Sequence, residues 1–186
     1  MENQEIEVRF LEIDKKDLIQ KLNALGATDL GEDMLEEIII YDKELTWRDG
    51  AKKLLRLRTR KGKTVLTFKE HRDLSSEFAD EIEFEVSDIH KAEALLERLG
   101  YTAYRQQQKL RHTFHLGEVV VDIDTWPRIP PCVELEGPSV ESLKVAAAAL
   151  DLDWKDVVTD NARVVIENVY KIPVGHMRWF TFDRFE

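Results

Sequence analysis

The chain has a single cysteine, Cys132, in 186 residues, which excludes an intramolecular disulfide and fits a reducing, cytoplasmic setting. Without a Cys/His cluster it offers no zinc site. No apolar run approaches the ~18 residues of a transmembrane helix, and the N-terminus reads directly as a strand rather than as a signal peptide, so no membrane partner is expected. A positive balance is also missing. Lys and Arg number 27 against 37 Asp and Glu, and the formal charge of −10 argues against a nucleic-acid partner. No Ser/His/Asp or Cys/His arrangement for nucleophilic catalysis is evident, and the five histidines (71, 90, 112, 115 and 176) are scattered.

What the chain does have is charge at the period-2 positions of its strands. Glu5-Ile6-Glu7-Val8-Arg9-Phe10 sends Glu5, Glu7 and Arg9 to one face and Ile6, Val8 and Phe10 to the other. The pattern recurs in Leu55 to Arg60, Glu81 to Val86, Lys109 to Phe114, Val121 to Asp124 and Val133 to Glu136. Acidic and basic strands paired across a solvated sheet would explain one such strand, at roughly 0.2–1 kcal/mol per ion pair. They do not explain the grouping of like charges, because glutamates at i, i+2 and i+4 repel unless cations lie between them. Strands facing a cavity do explain it. The basic set would hold a small polyanion, and the acidic set the Mg²⁺ or Mn²⁺ that accompanies it.

A weak internal repeat organises the chain: a charged strand, a cap, then an amphipathic helix. Asp14 precedes Leu18, Leu22 and Leu25; Ser87 precedes Ala92, Leu95 and Leu99; Pro138-Ser139 precedes Leu143 to Leu150. Glu37 to Asp42 reads as a buried strand. Leu54 to Arg60 and Thr64 to Lys69 form a hairpin around Lys61-Gly62-Lys63, and Lys109 to Leu116 and Glu118 to Asp124 form another around Gly117. Segments 43–53, 71–77 and 125–131 read as loops. The expected fold is α+β: a closed eight-stranded antiparallel β-barrel, a tunnel, with helices packed on its outside. One domain spans 1–186, with a core of about 3–170 and a helical and aromatic tail at 171–186. The tail residues Trp179-Phe180-Thr181-Phe182 read as packing or interface.

These residues resemble the CYTH domains, also called triphosphate tunnel metalloenzymes, which include class IV adenylate cyclases, thiamine triphosphatases and inorganic triphosphatases. The family's leading Glu-x-Glu-x-Lys stands here as Glu5-Ile6-Glu7-Val8-Arg9. Tyr41-Asp42, Leu55-Arg56-Leu57-Arg58, Leu66-Thr67-Phe68-Lys69, the Glu81/Glu83 strand, Lys109-Leu110-Arg111, Asp122 and Glu134-Leu135-Glu136 follow in order. A lone Glu-x-Glu-x-Lys is weak, whereas the ordered set is specific. The resemblance implies a tunnel binding a small-molecule triphosphate through Arg9, Arg56, Arg58, Lys69, Lys109 and Arg111. It implies a divalent cation on Glu5, Glu7, Asp122, Glu134 and Glu136, with Asp124, Glu81, Glu83, Tyr41 and His115 as further candidates. No catalytic base is assigned, because Arg9 replaces a lysine that could deprotonate.

Three activities remain. Hydrolysis of inorganic triphosphate demands the least beyond phosphate contacts. Cyclisation of ATP to cyclic AMP and pyrophosphate would use the same charges with the substrate reversed. A non-catalytic triphosphate or polyphosphate sensor would be marked by a lost carboxylate, and none is lost. Where animal thiamine triphosphatases have Tyr-Tyr-Asp-Thr, this chain has Ile40-Tyr41-Asp42-Lys43, which counts against thiamine triphosphate. The oligomeric state is open, with a homodimer among the options.

Overall fold

The computed structural model describes residues 6–50, 53–71 and 79–186. In chain order its elements are β1 (Ile6–Phe10), α1 (Lys15–Ala24), β2 (Thr28–Asp42), α2 (Thr46–Gly50), β3 (Lys53–Arg60), β4 (Lys63–His71) and β5 (Ala79–Val86). They continue with α3 (Ile89–Arg98), β6 (Tyr101–Leu116), β7 (Val119–Thr125), β8 (Cys132–Gly137), α4 (Val140–Ala149), α5 (Ala162–Asn168) and β9 (Trp179–Phe180). The strands pair in the order β1-β8-β7-β6-β2-β3-β4-β5, with β9 added parallel to β6. This is an α+β fold with a large, mainly antiparallel sheet. Among the described residues no pairing joins β1 to β5, so hydrogen bonds do not close the expected barrel. Nor is any helix among them long and apolar enough to cross a membrane.

Contacts divide the chain into two compact units, one of Met1–Asp33 with Leu110–Val165, the other of Met34–Lys109 with Ile166–Glu186. In the first unit, alternation dictates two faces. Val8 lies opposite Leu135 and Phe10 opposite Val133, and these residues join Phe114, Val121 and Ile123 in an apolar layer. Helices α1 and α4 cover it, because Leu18 and Leu22 recur at i, i+4 and Leu143, Ala146, Ala147 and Leu150 form one stripe. Each fully buried Leu contributes roughly 1.5–3 kcal/mol. Asp14 caps α1 by accepting from Lys16 N and Asp17 N at 2.9 and 3.0 Å, and Ser139 caps α4 by accepting from Ser142 N at 3.1 Å. Gly137 permits the close approach of α4, since a Cβ there would stand 3.1 Å from Leu143 Cδ2.

In the second unit β3 and β4 are joined by Lys61-Gly62, both at positive φ, as a two-residue hairpin turn demands. Leu55, Leu57 and Ile40 form the apolar layer, covered by Ile89, Ala92 and Leu96 of α3. Asp88, not the expected Ser87, caps α3, accepting from His90 N and Lys91 N at 3.0 Å each. At the end of the strand order, Ile82 and Phe84 of β5 are 60% and 53% exposed. In the tail, β9 buries Phe180, and the buried Arg105 donates to Val174 O at 2.9 Å.

Several boundaries differ from expectation. β2 begins at Thr28 rather than Glu37, and β6 at Tyr101 rather than Lys109. The 43–53 segment contains α2, whose start is fixed by Trp47 N donating to Asp42 Oδ1 at 2.8 Å. Around 125–131 the chain turns, with Ile129 N donating to Trp126 O at 3.3 Å and both side chains buried. Most of the 71–77 loop lies outside the described residues.

Candidate functional site

In the first unit, strand register sets the expected residues in cross-strand rows on the face opposite the apolar layer. Thr113, Asp122, Glu134 and Arg9 form one row across β6, β7, β8 and β1. Arg111 and Asp124 form a second, ending at Cys132. His115, Val120, Glu136 and Glu7 form the third. Five carboxylates therefore share one face. Glu5 lies outside the described residues.

Two guanidinium groups thread this acidic face. Arg111 Nε lies 2.7 Å from Asp124 Oδ1 and its Nη2 2.7 Å from Asp124 Oδ2, while its Nη1 lies 2.6 Å from Asp122 Oδ2. Nη2 also bonds Glu134. Arg9 donates to Glu134 Oε1 from Nε at 3.0 Å and from Nη2 at 2.6 Å, and to Glu7 Oε1 at 2.5 Å. Arg9 also reaches the carbonyl of Asp160, and Thr113 Oγ1 donates to Asp122 Oδ1 at 2.6 Å. Burial works against the charge of both arginines. The carboxylates prevail: Asp124, Glu134 and Asp122 raise Arg111, and Glu134 and Glu7 raise Arg9. Both stay cationic.

The carboxylates are hard oxygen donors of the kind Mg²⁺ and Mn²⁺ require. Among the described residues no three His, Cys, Asp or Glu side chains are arranged to hold a metal ion, because guanidinium nitrogens stand between them. As hard oxygen donors, Asp122, Asp124 and Glu134 are of the chemical kind that a divalent cation takes. His115 is exposed at the end of its row.

The second unit carries a basic cluster around one buried acid, Glu37. In the β2–β3 register Glu37 faces Arg58 and Ile39 faces Arg56. Glu37 Oε1 lies 2.6 Å from Arg58 Nε and 3.3 Å from Arg56 Nη1, and Gln107 Nε2 donates to Glu37 Oε2. Burial would raise the Glu37 carboxyl, but the charges of Arg58, Arg56 and Lys109 reverse this and hold it at about 2. Arg56 is pushed below its ordinary value by burial and by the like charge of Arg58, against the pull of Glu37. Its Nε is buried without a hydrogen-bond partner among the described residues. Lys69 pairs with Glu81 at 2.8 Å, and Thr67 Oγ1 donates to Glu83 at 2.8 Å. The buried Tyr41 hydroxyl accepts from Arg105 Nη1 at 3.4 Å.

Glu37 and Gln107 were not anticipated as site residues. The available signal was parity: Glu37 shares its face with Ile39 and Tyr41 at the start of the apolar run of β2. Ile40, the departure from the thiamine triphosphatase pattern, sits in the apolar layer with Leu55 and Leu57. Tyr41, its neighbour, has the parity of the charged face.

Comparison with known proteins bears on the family and the fold. The family model described as CYTH domain matches residues 3–157. The PH1012 protein of Pyrococcus horikoshii OT3 is 28% identical, with a TM-score of 0.68 over 84% of this chain and 96% of that one. A candidate adenylate cyclase from Vibrio parahaemolyticus shares the fold at 15% identity, with a TM-score of 0.73 over 88% and 97% of the two chains. So does HpAC1 of Hippeastrum, a candidate adenylyl cyclase with a dominant triphosphatase activity, at 14% identity and a TM-score of 0.60 over 89% and 95%. Among curated proteins none matches.

Proposed function

Because the chain belongs to the CYTH family, we propose that it is a divalent-metal-dependent enzyme that hydrolyses inorganic triphosphate or a related organic triphosphate. The observation that carries this is the pair Arg56 and Arg58. Arg56 is largely buried and Arg58 partly so, Glu37 holds one nitrogen of each, and Arg56 Nε has no partner among the described residues. Guanidinium nitrogens kept this way are donors prepared for phosphate oxygens. Lys69, Lys109, Arg9 and Arg111 are the other cations assigned to the substrate. The carboxylates Glu7, Asp122, Glu134 and Glu136, with Asp124, are those assigned to the metal. The closed tunnel implied by the resemblance, a cytoplasmic setting and a small-molecule partner belong to the same proposal.

In this reading a water oxygen attacks the terminal phosphorus, the bridging P–O bond breaks, and phosphate and pyrophosphate leave. The arginines bind the phosphate oxygens and take up charge that moves onto the leaving group. The carboxylates would hold the divalent cation, and Thr113 keeps Asp122 in place for that role. A bound Mg²⁺ or Mn²⁺ would supply Lewis-acid polarisation of the phosphoryl group. HpAC1 lends support at the level of fold, since its dominant activity is triphosphatase.

The test is incubation with tripolyphosphate, ATP and thiamine triphosphate in Mg²⁺ or Mn²⁺, with analysis for phosphate, pyrophosphate and cyclic AMP. Phosphate from tripolyphosphate is expected. Cyclic AMP and pyrophosphate from ATP, with tripolyphosphate only inhibiting, would replace hydrolase by cyclase. Binding without turnover would leave a sensor.

A further inference from the structure

Glu37 is buried where a polyanion-binding cluster would gain from having no negative charge. Its side chain is 4% exposed, and Arg58, Arg56 and Lys109 all act on it. Such a residue either lowers the cluster's net charge or does something a loss of charge would not replace.

The hydrogen bonds distinguish the two. Arg58 meets Glu37 through Nε, which leaves its Nη1 and Nη2 edge for a ligand, and nothing else bonds Arg58 among the described residues. Arg56 meets the same Oε1 through Nη1, which leaves its Nε and Nη2 edge, and Nε is a buried orphan donor. A guanidinium is a planar fork, and fixing one nitrogen fixes the direction of the remaining pair. The acid is itself fixed, since Gln107 donates to its other oxygen. It also faces Arg58 directly across the β2–β3 ladder.

We propose that Glu37 is a positioning residue that selects which edges of Arg56 and Arg58 meet the phosphate chain. It touches the arginines and not the substrate. Arg58 presents its end-on edge and Arg56 its side-on edge, so the two forks grip oxygens in different directions. A chain of linked phosphates satisfies both forks together, whereas a single tetrahedral anion satisfies one. Glu37 is thereby a determinant of preference for the triphosphate over a monomeric anion. This inference rests on the triphosphate reading above.

The test measures binding of tripolyphosphate and of sulfate by titration calorimetry on the full chain in a chelator, for wild type, Glu37→Gln and Glu37→Asp. Positioning predicts that Glu37→Gln weakens tripolyphosphate binding about tenfold, the scale of one charge-assisted hydrogen bond. It also predicts that sulfate affinity holds or rises, because the cluster is more positive. Glu37→Asp keeps the charge but shortens the arm, and its tripolyphosphate affinity should lie between the other two. A simple counter-ion gives the opposite sign: Glu37→Gln would bind tripolyphosphate as tightly as wild type, or more tightly, and that result overturns the role. A parallel loss of sulfate binding also overturns it, as general damage. If Glu37→Gln fails to melt cooperatively, Glu37→Asp decides, and wild-type affinity there sinks the idea. A wild-type chain that binds no tripolyphosphate, either in the chelator or with Mg²⁺ added, removes the triphosphate reading and this role with it.

Discussion

Arg111 lies opposite Asp124 in the β6–β7 ladder, and its guanidinium meets both oxygens of that carboxylate at 2.7 Å. It also reaches Asp122 and Glu134, so one cation serves three largely buried acids. Arg111→Gln leaves those acids short of positive charge and should destabilise the chain by about 3–5 kcal/mol. Added Mn²⁺ should raise the melting temperature of this variant more than that of wild type, because the vacated carboxylates can then bind the metal. Equal responses to Mn²⁺ would count against a metal role for this face.

Glu7 is a gentler probe of the same face. Its side chain is half exposed and bonds Arg9, so Glu7→Gln should leave stability within about 0.5 kcal/mol of wild type. Metal-dependent release of phosphate from tripolyphosphate should nevertheless vanish, since a ligand charge is gone. Full turnover in this variant would remove Glu7 from the metal set.

Tripolyphosphate should raise the melting temperature of the wild-type chain by mass action, because it binds the folded state alone. Arg58→Ala should abolish most of that shift, since it deletes a prepared fork. Differential scanning fluorimetry at fixed ligand concentration reads the difference. An unchanged shift would place the anion elsewhere.

The low value of Glu37 sets a pH dependence with a definite sign. The folded carboxyl sits at about 2 against an ordinary 4.5, so its stabilising contribution is complete above 4.5. It is lost as pH falls through about 2, and the full difference is worth about 3 kcal/mol. Urea melts of wild type should weaken across this acid window, and Glu37→Gln should lose part of that slope. Identical slopes would show that other carboxylates govern acid unfolding.

Substrate preference should follow from phosphate contacts alone. Tripolyphosphate should show a higher kcat/KM than ATP or thiamine triphosphate in the same metal. The prediction rests on the guanidinium and lysine set, and Ile40 in place of the thiamine triphosphatase tyrosine counts further against thiamine triphosphate. A higher value for either organic triphosphate would reverse it.

The sequence made the two faces legible because period-2 alternation survives folding: Glu7 and Arg9 part from Val8 and Phe10, as expected. The pairing of those faces was legible less directly. Thr28 to Glu36 carries four acids and Gly31, a composition that gives no strand signal, yet the segment is part of β2. The glutamine run of β6 hides another strand start in the same way. The acidic face was anticipated as a set of metal ligands. That Arg9 and Arg111 thread it depends on side-chain reach across β6, β7, β8 and β1, which alternation does not encode. Glu37 escaped notice because it lies beside an apolar run, where burial is expected and partners are invisible.

The exposed Ile82 and Phe84 of β5 share their strand with Glu81, Glu83 and Glu85. Two copies of that strand laid antiparallel with Glu83 opposite Glu83 would crowd glutamates against glutamates across the new seam. In that register the alternation that shapes the charged face also opposes pairing of the strand with its own likeness. The same residues that carry charge to one face thus weigh against the greasy side chains on the other.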